Sequence, residues 1–266
     1  MRTANQEWLQ ALSAVITNGI DVSPRGKLTR EIMQHTMHIN MRYPVVTLPE
    51  RVLGYRFMAA EAYWILSGSD KVSDITPYLP RMAEYSDDGK TFYGAYGPRI
   101  ASQLNYVVRK LRDDPDSRQA GMTIWRKNPP QTKDVPCTVA IFASIRGIRL
   151  HLSVYMRSSD AWRGLPYDVF NFSMLGHLIC SLLNIGGQTV EPGTLMLTAM
   201  SRHIYEPEFQ LAGGMLHHYY DKHIDEIIIP TCAPTPPVLF NGATMTTLMQ
   251  LRETSPGSPL RWWEQP

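Results

Sequence analysis

The stretch 169–184, VFNFSMLGHLICSLLN, is apolar on nearly every face of a helix. A helix apolar all round has to be buried on all sides, so the chain must place other layers around it. With 266 residues, 44% of them hydrophobic, there is material for a sizeable core in one large domain, 1–266.

The remaining pattern is mixed. Residues 6–17, 50–68 and 100–112 carry apolar residues at helical spacing, and the last two stop at Gly68 and at Asp113-Asp114-Pro115-Asp116. A Gly/Pro/Arg loop covers 18–29. Segments 31–47, 120–125, 138–146, 148–156, 194–200 and 225–229 read as strands, with a turn at Arg146-Gly147. There is no regular βαβ alternation, no G-x-G-x-x-G and no Walker-A loop. The expected class is α+β with a mixed sheet.

Charge and cysteines narrow the function. Lys+Arg 26 against Asp+Glu 24 leaves +2, without the basic excess of a nucleic-acid-binding protein. No 18-residue apolar run predicts a membrane span, and the N-terminus lacks the pattern of a signal peptide. The cysteines are Cys137, Cys180 and Cys232, with no C-x-x-C pair. That predicts neither a disulfide framework nor a zinc site and fits a cytoplasmic setting.

Cys137 follows Pro136 and precedes the apolar run TVAIFAS. A free cysteine is most often a small buried hydrophobe, and Cys180, inside the apolar helix, fits that reading; Cys232, in a Pro-rich loop, fits either role. After Cys137 come 19 residues, then Arg157-Ser158-Ser159-Asp160, then Gly164-Leu165-Pro166-Tyr167-Asp168. This ordered set resembles the thymidylate synthase family, which has a Pro-Cys nucleophile, an Arg-Ser-x-Asp segment and Gly-(Leu/Val)-Pro-Phe-Asn opening a long helix. Other matches are collinear. They are Ser23-Pro24-Arg25-Gly26 for the phosphate loop, Glu61-Ala62-Tyr63-Trp64-Ile65-Leu66-Ser67-Gly68, Tyr96-Gly97-Pro98-Arg99, Asp116-Ser117-Arg118 and His203-Ile204-Tyr205.

The resemblance implies a large twisted mixed sheet covered by helices, and a homodimer packed sheet to sheet. It implies 5,10-methylenetetrahydrofolate as co-substrate and no metal. Cys137 would be the nucleophile that adds to C6 of a pyrimidine and makes C5 carbanion-like. Arg157 would lower the thiol pKa and, with Arg25 and the partner subunit's Arg118, hold the nucleotide phosphate. Ser158 would add a phosphate hydrogen bond, and His203 and Tyr205 would bind the sugar 3′-hydroxyl. Tyr96 belongs to the nucleotide site and Glu61 to proton handling. Asp160, Gly164, Trp64 and Met82 would face the folate. Without the resemblance, Arg25 and Arg118 read as solvated surface residues, Glu61 as a helix edge, and His203 and Tyr205 as the outward face of a strand.

The departures matter most at Asp168, where the synthases have Asn. Asn reads uracil by accepting from N3–H and donating to O4. A carboxylate accepts from the amino group of cytosine, and if protonated donates to N3 as a general acid. Asp also caps a helix well, but Asn would cap equally well. Deoxycytidylate hydroxymethylases of bacteriophages show this substitution within the family. The expected reaction is therefore conversion of dCMP to 5-hydroxymethyl-dCMP, with tetrahydrofolate released, for modified phage DNA. Alternatives are reductive methylation to 5-methyl-dCMP, thymidylate synthase acting on dUMP, and a catalytically silent nucleotide- or RNA-binding homologue. Further departures are Thr138 where synthases have His, Gln119 in place of a second Arg, no Trp between Tyr78 and Tyr96 (Met82 and Tyr85 stand near those places), Ser201-Arg202 before His203, and a Trp-rich tail.

Overall fold

A computed structural model describes residues 2–220 and 232–254. The strand expected at 225–229 and the tail at 261–266 lie outside the described residues. Six strands form one mixed sheet: β1 (Ile20–Val22), β2 (Thr29–Asn40), β3 (Gly121–Thr123), β4 (Thr138–Arg146), β5 (Arg149–Asp160) and β6 (Glu191–Tyr205). Their order across the sheet is β1-β2-β6-β5-β4-β3. Only β5 and β6 pair in parallel; the other neighbours are antiparallel.

A parallel pair needs a crossover. The long apolar helix supplies it as α5 (Leu165–Ile185) and starts earlier than its apolar run, because Pro166 suits the first helical turn. The helix is long and apolar enough to cross a membrane, yet most of it is buried inside the fold. Gly176 permits the close approach to the sheet: a Cβ there would lie 2.6 Å from Met41 Sδ and 3.4 Å from Leu152 Cδ1. Around α5 pack α2 (Tyr55–Leu66), α4 (Tyr96–Asp113) and the two central strands.

Helix α1 (Ala4–Asn18) lies on β2 and β6, and begins in a capping box between Thr3 and Gln6. Helix α2 starts five residues later than expected, after the loop that contains Pro49 and Gly54, and α4 starts four residues earlier, at Tyr96. Short α3 (Val72–Ile75) follows α2. Two helices escaped the sequence reading, α6 (Phe209–Tyr220) and α7 (Thr244–Thr254). The sheet's other face leaves Phe142, Tyr155 and Met200 exposed. Thr36 and Thr198 hydrogen-bond on it, Oγ1 to Oγ1, at 2.9 Å.

One irregularity positions the site. In β5 the buried positions run Leu150, Leu152, Val154, Met156 and then Ser159; in β6 they run Leu195, Leu197, Ala199 and then Arg202 and Ile204. Both strands change phase across Arg157 and Met200 without losing register, since Met156 pairs with Ala199 and Ser158 with Ser201. On β2, Gln34 sits at the same kink with φ 54, between Met33, opposite Ser201, and His35, opposite Ala199. Period-2 alternation alone would have sent Ser159 and Arg202 outward. The kink turns them into the interior.

Candidate active site

Cys137 lies one residue before β4 and is partly buried. Arg157 frames it: its N–H donates to the Cys137 carbonyl at 2.8 Å, its Nε to the Pro136 carbonyl at 3.0 Å and its Nη2 to the Val135 carbonyl at 2.9 Å. Three bonds from one arginine thus fix the loop that carries the thiol. Burial pushes the Cys137 thiol up, while the charges of Arg157 and Arg25 pull it down. Arg25 is exposed, with φ 56, next to Gly26 at φ 73. A non-glycine residue held in that region is strained.

Below the thiol stands a polar group walled by apolar helices. Tyr96 opens α4; its hydroxyl accepts from the Thr138 N–H at 3.2 Å, and its ring stacks on Phe172 at 6.3 Å. Asp168 is in the first turn of α5 and Glu61 is on α2; both are partly buried. Burial, and then the Glu61 charge, push the Asp168 carboxyl up to about 8. Burial lifts Glu61 to about 7, against a hydrogen bond from Asn171. Asn171 Nδ2 donates to Glu61 Oε2 at 2.8 Å, and the Asn171 Oδ1 is buried with no donor. The Asp168 carboxyl takes no hydrogen bond among the described residues.

Asp160, at the end of β5, is paired with His203 of β6. Its Oδ1 accepts from the N–H groups of Trp162 (2.9 Å) and Arg163 (2.8 Å). Burial raises its carboxyl and lowers the His203 imidazole. His203 meets Tyr205 edge-on at 5.3 Å, and Arg163, bonded to Glu208, lies over the Tyr205 ring at 4.9 Å. Gly164 caps α5, and its N–H donates to the Asp160 carbonyl at 3.2 Å. Ser158 is partly buried between Arg157 and Ser159 on β5.

Electrostatic reach and hydrogen bonds therefore join Cys137, Arg157, Arg25, Tyr96, Asp168, Glu61, Asp160 and His203. Three expected residues take no part in these interactions. Trp64 is in the core, 7% exposed, edge-on to Phe92 at 5.5 Å, with no acceptor for its indole N–H. Met82 is partly buried on the 3-10 turn Pro80–Tyr85. Arg118 is exposed on the loop after α4, in a surface cleft with Lys110 and Asp116. Sequence reasoning missed Asn171 and took Arg202 only as an interruption. The one available signal for Asn171 was a polar residue one turn after Asp168 in an otherwise apolar helix.

The family profile described as Thymidylate synthase matches residues 6–230. A Deoxyuridylate hydroxymethyltransferase of Bacillus phage SP01 is 31% identical over 229 residues, covering 77% of this chain and 57% of that protein. One of the same name from Pseudomonas phage M6 is 30% identical over 181 residues, covering 64% of this chain and 50% of that protein. The chain thus spans about half the length of the curated relatives it matches. With the profile covering most of the sequence, the chain belongs to the thymidylate synthase family.

Proposed function

We propose that this protein transfers a one-carbon unit to C5 of dCMP and hydrates it, giving 5-hydroxymethyl-dCMP. The observation that carries the base assignment is Asp168, held partly buried and close to neutral where the family's base-reading residue stands. A neutral carboxyl donates its O–H to cytosine N3 and accepts from the 4-amino group.

Arg25 and Arg157 supply the positive field for the phosphate, and Ser158 adds a hydroxyl beside it. His203 and Tyr205 take the sugar. The thiolate of Cys137 adds to C6; the C5=C6 electron pair shifts through the ring to N3, which takes the Asp168 proton. C5 becomes nucleophilic. The folate supplies the methylene electrophile. The Asp160 side fits a pterin: Asp160 Oδ1 is filled by two backbone N–H groups, which leaves Oδ2 as an acceptor for ring N–H donors, and Gly164 presents no side chain next to it.

Glu61, near 7, would accept the C5 proton through water as the bond from the transferred methylene to the folate nitrogen breaks, which would release tetrahydrofolate and leave an exocyclic methylene on C5. Its fixed Oε2 and the free Oδ1 of Asn171 suit an oriented water for addition to the exocyclic methylene; Cys137 then leaves C6. The names of both phage relatives support water over hydride as the last reactant. Two copies packed on the face carrying Phe142 and Tyr155 would complete the assembly and bring Arg118 of one to the phosphate of the other.

The same names favour a second reading, the same hydroxymethyl transfer to dUMP. Incubating the protein with dCMP or dUMP and 5,10-methylenetetrahydrofolate, then weighing the product, decides between them. Hydroxymethyl-dCMP is expected; a product only from dUMP would overturn the base assignment, and a methyl product would overturn hydration.

A further inference from the structure

The turn 160–164, which carries Asp160 and Gly164, is held from three sides. Trp8 of α1 donates its indole N–H to the Ala161 carbonyl at 2.6 Å. The Ala161 N–H donates to the His203 carbonyl of β6 at 2.7 Å. Arg51 supplies the third hold, donating from Nε at 3.3 Å and from Nη2 at 3.0 Å to the Trp162 carbonyl. Its guanidinium also lies over the Trp162 ring, 5.2 Å from the centroid. Two donors on one oxygen, with the cation on the same residue's ring, fix both the backbone and the side chain of Trp162.

The first two holds come from the interior: Trp8 is buried, and β6 is a central strand. The third comes from a surface loop. Glu50, Val52 and Gly54, around Arg51, are exposed. Surface loops give way more easily than the elements they join, so this one needs fastenings of its own. Glu50 Oε2 accepts from the Tyr219 hydroxyl of α6 at 2.8 Å, and Gly54 donates its N–H to the Tyr167 hydroxyl at 3.0 Å. Tyr167 stands where the family pattern has Phe, so the second fastening depends on a hydroxyl that this chain adds. The Tyr167 ring meets Phe57 edge-on at 5.3 Å, a contact that Phe would keep. Loop 50–54 is thus clasped to the segment 160–168 at two points, Trp162 and Tyr167.

The consequence falls on one ligand. The Trp162 carbonyl and the Arg163 N–H belong to the same peptide unit, which is planar and turns as a whole. Arg51 holds the carbonyl of that unit, and its N–H donates to Asp160 Oδ1 at 2.8 Å. A cation on the carbonyl also polarises the peptide and strengthens the N–H as a donor. The direction of the Asp160 carboxylate is therefore set by Arg51 through one peptide unit. We propose that Arg51 is a positioning residue for the folate, aiming the free Oδ2 of Asp160 at the pterin through the peptide between Trp162 and Arg163. This rests on the folate-binding role of Asp160 proposed above. The nucleotide groups Arg25, Arg157 and Asp168 take no hydrogen bond from this peptide, so the effect belongs to folate affinity.

Equilibrium binding tests it, with dCMP on the folate-free protein and tetrahydrofolate on the protein saturated with nucleotide, together with kcat and KM for 5,10-methylenetetrahydrofolate. Arg51→Met keeps an apolar stem over Trp162 and loses the donors. It should weaken tetrahydrofolate binding and raise the folate KM about tenfold, while kcat and dCMP binding change by less than about twofold. Arg51→Lys, which keeps one charged donor, should recover most of the loss. Tyr167→Phe removes only the hydroxyl and should raise the folate KM about threefold. In the combined variant the two effects should fall short of their product, because both bonds hold one loop to one segment. Should Arg51→Met fail to fold, the same measurements on Tyr167→Phe and Arg51→Lys decide. Unchanged folate affinity in these variants overturns the role of Arg51, and so does an equal loss of dCMP affinity, which means a general loosening. An unaltered protein that binds no tetrahydrofolate with either dCMP or dUMP overturns the folate-binding role of Asp160 together with this one. Folate affinity that depends on Arg51 in a protein that acts only on dUMP supports Arg51 and overturns the base assignment.

Discussion

Asn171 donates to Oε2 of Glu61 at 2.8 Å from one turn beyond Asp168 on the same helix. One face of α5 therefore both presents an acid and orients a second acid from α2. The hydrogen bond favours the ionised form of Glu61 against the burial that opposes it. Asn171→Ala should push Glu61 above about 7 and move the acid limb of the pH–rate profile upward. We expect a loss of about tenfold in kcat at pH 7, read from steady-state profiles with dCMP; a profile that keeps its acid limb would remove Glu61 from the proton path.

Cys137→Ala should end turnover while dCMP still binds, because the proposed binding groups are the arginines and Asp168. A mass shift with a 5-fluorinated pyrimidine nucleotide should appear in the unaltered protein and vanish in the variant. Cys180, fully buried in α5, should tolerate Ala with activity kept and stability lower by about 1 kcal/mol.

Asp168→Asn should lower activity on dCMP and raise it on dUMP. Two hydrogen bonds face the base edge, each worth about 1–3 kcal/mol when mispaired, so the ratio of kcat/KM should move by roughly two orders of magnitude. An unchanged preference would leave Asp168 as an acid in the first turn of α5 that favours the positive end of the helix and reads no base.

Both carboxyls also tie stability to pH. The folded values of Glu61 and Asp168, about 7 and about 8, lie above their ordinary values of 4.5 and 3.8. A raised acid stabilises the fold fully below its unfolded value, and that stability is lost as pH rises through the folded value. Between about pH 4 and 8 these two groups should therefore lower Tm as pH increases. Asp168→Asn should make the decline shallower in thermal melts across that range; an equal slope would mean that Asp168 is ionised throughout.

The open sheet face should be covered in solution. Light scattering at micromolar concentration should give a dimer, and Tyr155→Arg, placing a charge on that face, should yield monomers. If Arg118 crosses to the partner's phosphate site, the monomers should bind dCMP more weakly even with every residue near Cys137 intact.

Local chemistry made much of this protein legible from its sequence. The apolar 169–184 run required a central buried helix, and the turn at Gly147 joined β4 to β5. Both depend on residues close in sequence or on a periodic pattern, so the chain states them directly; Cys137, Arg157 and Asp168 were grouped by motifs that resemble those of the thymidylate synthase family. Contacts between distant segments were not legible. The start of α2 after Gly54, the burial of Trp64 against Phe92, and the bond from Asn171 to Glu61 depend on how separate elements pack. The interior place of Arg202 follows from a kink shared by β5 and β6, which reverses the faces of both strands. Strand alternation read from sequence assumes a constant period, so a change of phase that neighbouring strands make together becomes visible only in the assembled sheet.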